Sequence, residues 1–421
     1  MNNKRSWSWQ GIGLCLLIAA AALRVWWALY ANSMPFSDFK RYFDIASEFA
    51  RTGNLSCHGH PFVFQSPAYP LFLGVLFCVF SPSVLVGKLA NAVLAVLMLA
   101  VFWKVVERQD FSPWARLLAL AVVAFYPPMI SFVSVLAQEM LALLFVVLIL
   151  LLVKRGGFLL GLCCGLLALT RPQFILLPFC LAGLGWLWKW YSKQACALLL
   201  AGFALVLTPW VVRNYKVFHA FIPTTGHSGY VLLVNNNPAN RVGVWMPLSK
   251  IELTSEQREV FREMRAEYLL EEGDEDWKGV VWTPALDKKV FWVAVDNIKK
   301  HPLRFIEMGF RRIWNTYFTG GTCALYWAFN GDNQAVPMLN NLTDWSAIVI
   351  FSLSLVGIVV VARQRDPVLI CAILLFLIAL LAIFVFEGQG RYALPAMPAS
   401  AILIGAVADR ICRRQNKTEE S

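Results

Sequence analysis

Apolar residues run along this chain in long stretches separated by short charged links. A helix rising 1.5 Å per residue needs about 20 apolar residues to cross the hydrocarbon core of a bilayer. Stretches of that order fall near 11–30, 84–103, 114–131, 134–153, 156–170, 173–189, 195–213, 345–362, 367–386 and 394–409. The pattern predicts an all-α polytopic membrane protein with about ten transmembrane helices. A further run, Tyr69 to Phe80, is short and is bounded or broken by Pro67, Pro70 and Pro82, which predicts an interfacial or re-entrant helix.

Charge supports that choice. With 69–80 kept out of the count, Lys4/Arg5, Lys104/Arg108, Lys154/Arg155, Lys189/Lys193, Arg363/Arg365 and Arg410/Arg413/Arg414 all fall on one side. Counting it as a span splits the set, against the rule that basic residues stay on the cytoplasmic side. Both termini are therefore expected in the cytoplasm; the membrane itself is expected to be a bacterial inner (plasma) membrane. Two long segments, about 31–83 and 214–344, then lie on the opposite, outer face.

This divides the chain into an N-terminal membrane module (1–213) with a first outer loop at 31–83, an outer soluble or interfacial segment (214–344), and C-terminal helices with a cytoplasmic tail (345–421). All five histidines lie in the outer segments. Within 214–344, Ser255 to Asp276 reads as an exposed charged helix. Asp287 to Tyr317, with Lys299, Lys300, Arg304, Arg311 and Arg312, reads as an amphipathic stretch along the outer surface.

Composition agrees: 58% apolar residues, 15% charged residues and a mean hydropathy of +0.59 exclude an ordinary soluble domain. A net charge of +11 could suggest a nucleic-acid partner, but the basic residues sit between apolar runs, so the charge reports topology and no nucleic acid is expected. The first apolar stretch is too long for a signal peptide and lacks a small-residue cleavage site, which predicts a retained span. Most cysteines lie in apolar segments; Cys57 and Cys323 fall in outer segments, where a disulfide is one option.

Ionisable groups at the ends of spanning helices are costly and invite a functional reading. Asp38 follows the first span in Ser-Asp-Phe-Lys-Arg-Tyr, and on a helix positions 38, 41, 42 and 45 share a face. That places a carboxylate beside the Arg41 guanidinium and the Tyr42 phenol, a proton acceptor next to an anion clamp; a solvated amphipathic helix is the plainer alternative. Glu139, at the outer end of the fourth span, has no basic neighbour in sequence and is expected to face a wet cavity. Arg171, Arg213 and Arg391 each lie near an outer helix end, where converging guanidinium forks match phosphate oxygens and where single arginines also snorkel. Cys57-His58-Gly59-His60 holds metal-type ligands without a completed spacing, and Asp274-Glu275-Asp276 resembles an acidic nucleotide-sugar triplet but lies on the wrong face for one. No metal site and no cofactor is indicated, and no phosphate-binding glycine loop is present.

In this order the motifs resemble the GT-C superfamily of membrane glycosyltransferases, in particular family 39, which includes protein O-mannosyltransferases and lipid A aminoarabinose transferases. The residues carrying the resemblance are Asp38 with Arg41-Tyr42, then Ser66-Pro67-Ala68-Tyr69-Pro70, Tyr126-Pro127-Pro128, Glu139, Leu169-Thr170-Arg171-Pro172, Pro209-Trp210 with Arg213-Asn214-Tyr215, and Gly390-Arg391-Tyr392 before Pro395. The resemblance implies a polyprenyl-phosphate-linked sugar donor, a lipid, glycan or protein acceptor, and transfer at the outer face among membrane lipids. It makes Asp38 the carboxylate near the reacting centre, with Glu139 assisting. Arg41, Tyr42, Tyr69, Arg171, Arg213, Tyr215, Arg391 and Tyr392 become the substrate-binding set. Phe39 stands where those enzymes tend to have Glu, and Ser66-Pro67-Ala68 replaces a Lys-Pro-Pro type element, so the acceptor class stays open. A lipid-linked glycan transporter or flippase, and a polymerase or ligase using diphosphate-linked glycans, are the alternatives.

Overall fold

The computed structural model describes residues 8–57, 59–246, 250–251, 254–255, 283–319, 321–332 and 337–419. Lys4, Arg5, His58, the run 256–276 with its acidic triplet, and the Cys323 side chain lie outside the described residues; Cys57 carries a free thiol. Seventeen α-helices and a two-residue hairpin, Ser56–Cys57 with His60–Pro61, make up the described structure.

The first half contains α1 (Trp9–Tyr30), α2 (Asp38–Thr52), α3 (Ala68–Phe80), α4 (Val84–Glu107), α5 (Pro113–Phe125), α6 (Pro127–Ser131), α7 (Glu139–Leu152), α8 (Phe158–Thr170), α9 (Leu177–Leu187) and α10 (Lys193–Phe218). The second half contains α11 (Ser228–Asn235), α12 (Pro284–Lys300), α13 (Pro302–Tyr317), α14 (Gly321–Ala328), α15 (Pro337–Val361), α16 (Pro367–Val385) and α17 (Met397–Glu419).

Among the described residues six helical stretches are long and apolar enough to cross a membrane: α1, α4, α10, α15, α16 and the stretch Gly390–Gln415; Pro113–Phe125 with Pro127–Ser134 passes the same test only as a pair bent by 54°, a broken span or a re-entrant loop. The expected spans at 134–153, 156–170 and 173–189 are shorter apolar helices: α7 starts only at Glu139, α8 is 13 residues long, and a 3-10 turn at Pro172–Leu176 takes up the start of the third stretch. The apolar residues of α1 that remain exposed, Leu14, Ile18, Val25 and Leu29, form an outward stripe suited to lipid. Helix α7 is buried on most sides, against α4 and α8, as expected of a helix apolar all round. Helices α8 and α10 approach closely at Gly161 and Gly202, where a Cβ would collide with the Leu199 and Phe158 carbonyls.

The bend in this pair has a specific cause. Pro127 and Pro128 lack the N–H groups that the Val123 and Ala124 carbonyls would accept from in a continuous helix, and the chain turns by 54° at Tyr126. Arg24 of α1, fully buried, answers both: its guanidinium donates to Val123 O at 2.9 Å and Ala124 O at 2.8 Å.

Helix α3 is 13 residues, roughly 20 Å at 1.5 Å per residue, short of a ~30 Å hydrocarbon core. It packs along α2 through Tyr69, Leu73 and Phe77 and leaves Leu71, Val75 and Val79 exposed. The stretch Asp287 to Tyr317, expected as one amphipathic piece on the surface, is instead two helices broken at His301-Pro302. Arg312 is fully buried in it, donating to the carbonyls of Asn235, Phe384 and Val385 and so tying α11 and α13 to the end of α16.

The two ends of the bundle differ in character. Lys154 pairs with Asp366 at 2.8 Å, Arg413 with Asp110 at 3.1 Å, and the Ser112 amide donates to Asp409 at 2.7 Å. These contacts gather the links after α4 and α7, the link before α16 and the polar half of α17 at one end. Asp38, Glu139, Arg171 and Arg391 stand at the other ends of their helices.

Candidate active site

Ser37 turns the chain sharply after the first span, with φ 52° and ψ −130°, and Asp38 opens α2. In that first turn the unpaired amides and the helix dipole favour a negative charge. One Asp38 oxygen accepts from Gln65 Nε2 at 2.8 Å and lies 3.8 Å from Arg41; the other lies 3.2 Å from Arg391. The carboxylate keeps 34% of its surface exposed and opens into a cavity of about 910 Å³.

Arg391 sits in the 3-10 turn Gly390–Ala396 that leads into α17. Its guanidinium lies 5.3 Å from the ring centre of Phe39, 5.4 Å from Trp327 and 5.0 Å from Tyr392. This aromatic cage holds the charge while shielding it from water. Arg391 donates to the Tyr392 hydroxyl at 3.1 Å, and that hydroxyl donates to Glu387 at 2.8 Å; Gln389 donates to the other Glu387 oxygen.

On the far side of Tyr392, Arg171 and Glu139 form a direct, nearly fully buried ion pair, with the Arg171 guanidinium 5.6 Å from the Tyr392 ring centre. Proline at position 172 disfavours helical backbone at Arg171, so α8 ends there and the side chain is free to cross to the first residue of α7. The missing partner of Glu139, invisible in sequence, is thus supplied from 32 residues away.

The cavity wall combines these groups with two contrasting flanks. Ile175, Leu176, Ile378, Leu381 and Ala382 form an apolar flank, of which Leu176 and Leu381 are largely exposed. The other flank carries Phe64, His227, Tyr230 and Trp245, from the segments between α2 and α3 and around α11.

Of the residues singled out in sequence, Asp38, Arg41, Tyr42, Glu139, Arg171, Arg391 and Tyr392 line this one cavity. Three do not. Tyr69 is buried beneath Tyr42, ring centres 5.7 Å apart, with its hydroxyl donating to Asn91 at 3.1 Å. Arg213 donates to the carbonyls of Phe62 at 2.7 Å and Leu55 at 2.9 Å, pinning the first loop to α10, and Tyr215 is exposed elsewhere on that helix. Sequence reasoning passed over Glu387, His227, Tyr230, Trp245 and Trp327. Only Glu387 carried a local signal, as a carboxylate four residues before Arg391.

Burial works against ionisation of Asp38, but Arg391 and Arg41 outweigh it and hold the carboxyl below its ordinary range. Burial pushes the Glu387 carboxyl up, and Arg391 and the Tyr392 hydrogen bond offset this only in part. Burial likewise lowers His227, against the pull of Asp287 and Asp38. The site thus holds an ionised carboxylate, a second carboxyl biased toward its neutral form, and guanidinium groups suited to an anion. Among the described residues no group of three or more side chains has metal-ligand geometry.

No protein-family model and no curated protein sequence matches the chain. Among solved structures it is similar to ArnT from Cupriavidus metallidurans bound to undecaprenyl phosphate, at 15% identity over 94% of this chain and 78% of that one, with a TM-score of 0.43. It is similar to the same enzyme in the apo state, at 15% identity and a TM-score of 0.40, over 94% and 77% of the two chains. It is also similar to the Archaeoglobus fulgidus oligosaccharyltransferase tethered to an acceptor peptide, at 14% identity and a TM-score of 0.47. That match covers 96% of this chain and 49% of the other.

Proposed function

We propose that this protein is a GT-C type glycosyltransferase that moves a sugar from a polyprenyl-phosphate donor to an acceptor at the outer face of a bacterial inner membrane. The observation that carries the reading is the meeting of Asp38 and Arg391, from opposite ends of the chain, in one cavity with Arg171 and Glu139. The apolar flank running out to Leu176 and Leu381 suits a prenyl chain, which would let the donor enter from the bilayer with its phosphate at the guanidinium groups.

In this mechanism Asp38 takes the proton of the acceptor hydroxyl as it attacks the anomeric carbon. The bond to the donor phosphate breaks as the new glycosidic bond forms, and attack opposite the phosphate inverts the anomeric configuration. Arg391 and Arg171 stabilise the charge that grows on the leaving polyprenyl phosphate, in a site where aromatic rings limit screening. Glu139 holds Arg171 in place. The donor brings its own activated bond, so the reading requires neither a nucleotide nor a redox cofactor.

The test is incubation of the purified protein with a panel of polyprenyl-phosphate sugars and a pool of lipid, glycan and peptide acceptors, scoring release of polyprenyl phosphate. Release that depends on the protein supports transfer. Binding or translocation of every donor without release overturns it in favour of a carrier.

A further inference from the structure

The cavity continues past Asp38, away from the apolar flank, into a wall that the transfer step does not use. Arg41 lies 5.1 Å from the ring centre of Phe64, and Phe64 meets His227 at 4.9 Å and Tyr230, edge to face, at 5.4 Å. The Trp245 indole N–H donates to the Tyr230 hydroxyl at 2.8 Å, which fixes the two rings relative to one another, and Trp245 is 38% exposed. All of these side chains line the cavity. Asp38 and Glu387 line the same cavity as this wall. His227 Nδ1 is buried without a hydrogen-bond partner, the kind of atom that a bound hydroxyl satisfies.

Resting on the transferase reading, we infer that this wall is the acceptor subsite and that the acceptor presents a saccharide ring, stacked on Trp245 and Tyr230 with a hydroxyl directed at Asp38. A pyranose has apolar C–H faces and a polar hydroxyl rim. Aromatic faces, being negative, attract the C–H groups, while sparse polar side chains read the rim. Here the faces come from Trp245 and Tyr230, and the rim partners from His227 and Arg41. An extended peptide acceptor asks for an open strand edge or a row of side-chain pockets. Among the described residues the strands are a two-residue hairpin, and the wall is a tilted set of rings.

The test uses the full chain in lipid nanodiscs and two separate readouts. Saturation-transfer NMR with methyl β-D-glucopyranoside and with a serine-containing tripeptide reports the acceptor side; equilibrium binding of undecaprenyl phosphate reports the donor side. The expected result is transfer to the pyranoside ring protons and none to the tripeptide, with pyranoside affinity falling roughly 2- to 12-fold in Trp245→Ala. Trp245→Phe, which keeps an aromatic face, should retain most of that affinity and guards against misfolding. Undecaprenyl phosphate binding should be the same in all three proteins. A pyranoside signal equal in wild type and both variants, or a signal from the tripeptide instead, overturns the inference. Absence of undecaprenyl phosphate binding while the pyranoside signal follows Trp245 supports the saccharide site and overturns the transferase reading.

Discussion

Asp38 and Arg391 are 353 residues apart in sequence, yet their side chains meet at 3.2 Å. Each satisfies the other: the guanidinium keeps the carboxylate ionised, and the carboxylate gives a caged cation a counter-charge. In the transfer proposed above, the donor phosphate would compete for Arg391, and withdrawal of that guanidinium would leave Asp38 a better proton acceptor at the stage when a base is needed.

Asp38→Asn should therefore cut release of polyprenyl phosphate by about 100- to 10,000-fold, the usual worth of a general base, while helical content and detergent elution stay unchanged. Arg391→Lys keeps the charge but loses the fork, so affinity for polyprenyl phosphate should weaken roughly 10- to 150-fold, the worth of one charged hydrogen bond. Donor-release assays and lipid binding on the two variants check this, and full activity in Asp38→Asn removes the mechanism.

The Glu139–Arg171 pair is nearly sealed from solvent, so removing one partner strands a buried charge. Glu139→Gln or Arg171→Met alone should cost about 3–5 kcal/mol of stability. The double variant, with no charge left to strand, should lose less than the two single losses added together. Thermal midpoints of the four proteins in one detergent complete the cycle; simple additivity would show the two groups to be independent.

Much of the membrane architecture was legible in sequence because lipid imposes a length and a hydropathy that few other environments share. The α1, α4, α10, α15 and α16 stretches could be placed on that ground alone. What hydropathy could not report is where a span breaks. The Tyr126-Pro127-Pro128 kink and the late start of α7 at Glu139 depend on which carbonyls lose their donors and which neighbours answer them. The site divides in the same way. Asp38, Glu139, Arg171 and Arg391 stand out because charge at a helix end is expensive, and these four do converge on the cavity. Arg213 stands out for the same reason but pins a loop, since charge cost says nothing about which carbonyl or anion bears it. Tyr230 and Trp245 left no signal, because aromatic residues abound at membrane interfaces and in this chain.

Glu387 should give the protein a distinctive pH dependence. Its carboxyl is raised above the ordinary value by burial, so the stability linked to it is present below the unfolded pKa and is lost as pH rises through the folded one. Asp38 is depressed, so its contribution is lost only on acidification through its folded pKa, below the ordinary value of about 3.9. As pH rises above the ordinary glutamate value of about 4.3, the wild type should therefore lose thermal stability relative to Glu387→Gln, which cannot ionise. Melting curves of both proteins above that value measure the difference; parallel curves would show that Glu387 does not titrate there.

Arg24 makes the strongest case for a charged residue kept for architecture. Buried inside the bundle on a membrane-spanning helix, it donates to the two carbonyls that Pro127 and Pro128 leave without amides. In lipid such carbonyls have no water to turn to, and an unsatisfied buried group costs about 1–3 kcal/mol. Arg24→Met should therefore lower stability by roughly 2–6 kcal/mol, two such groups being exposed to the loss. Arg24→Lys, with a compact head that reaches fewer acceptors, should fall between. Replacing Pro127 and Pro128 by Ala restores the missing N–H groups. In the Arg24→Met background this should recover part of the loss, and in the wild type it should add little. If the alanine pair recovers nothing, Arg24 acts through some contact other than these two carbonyls.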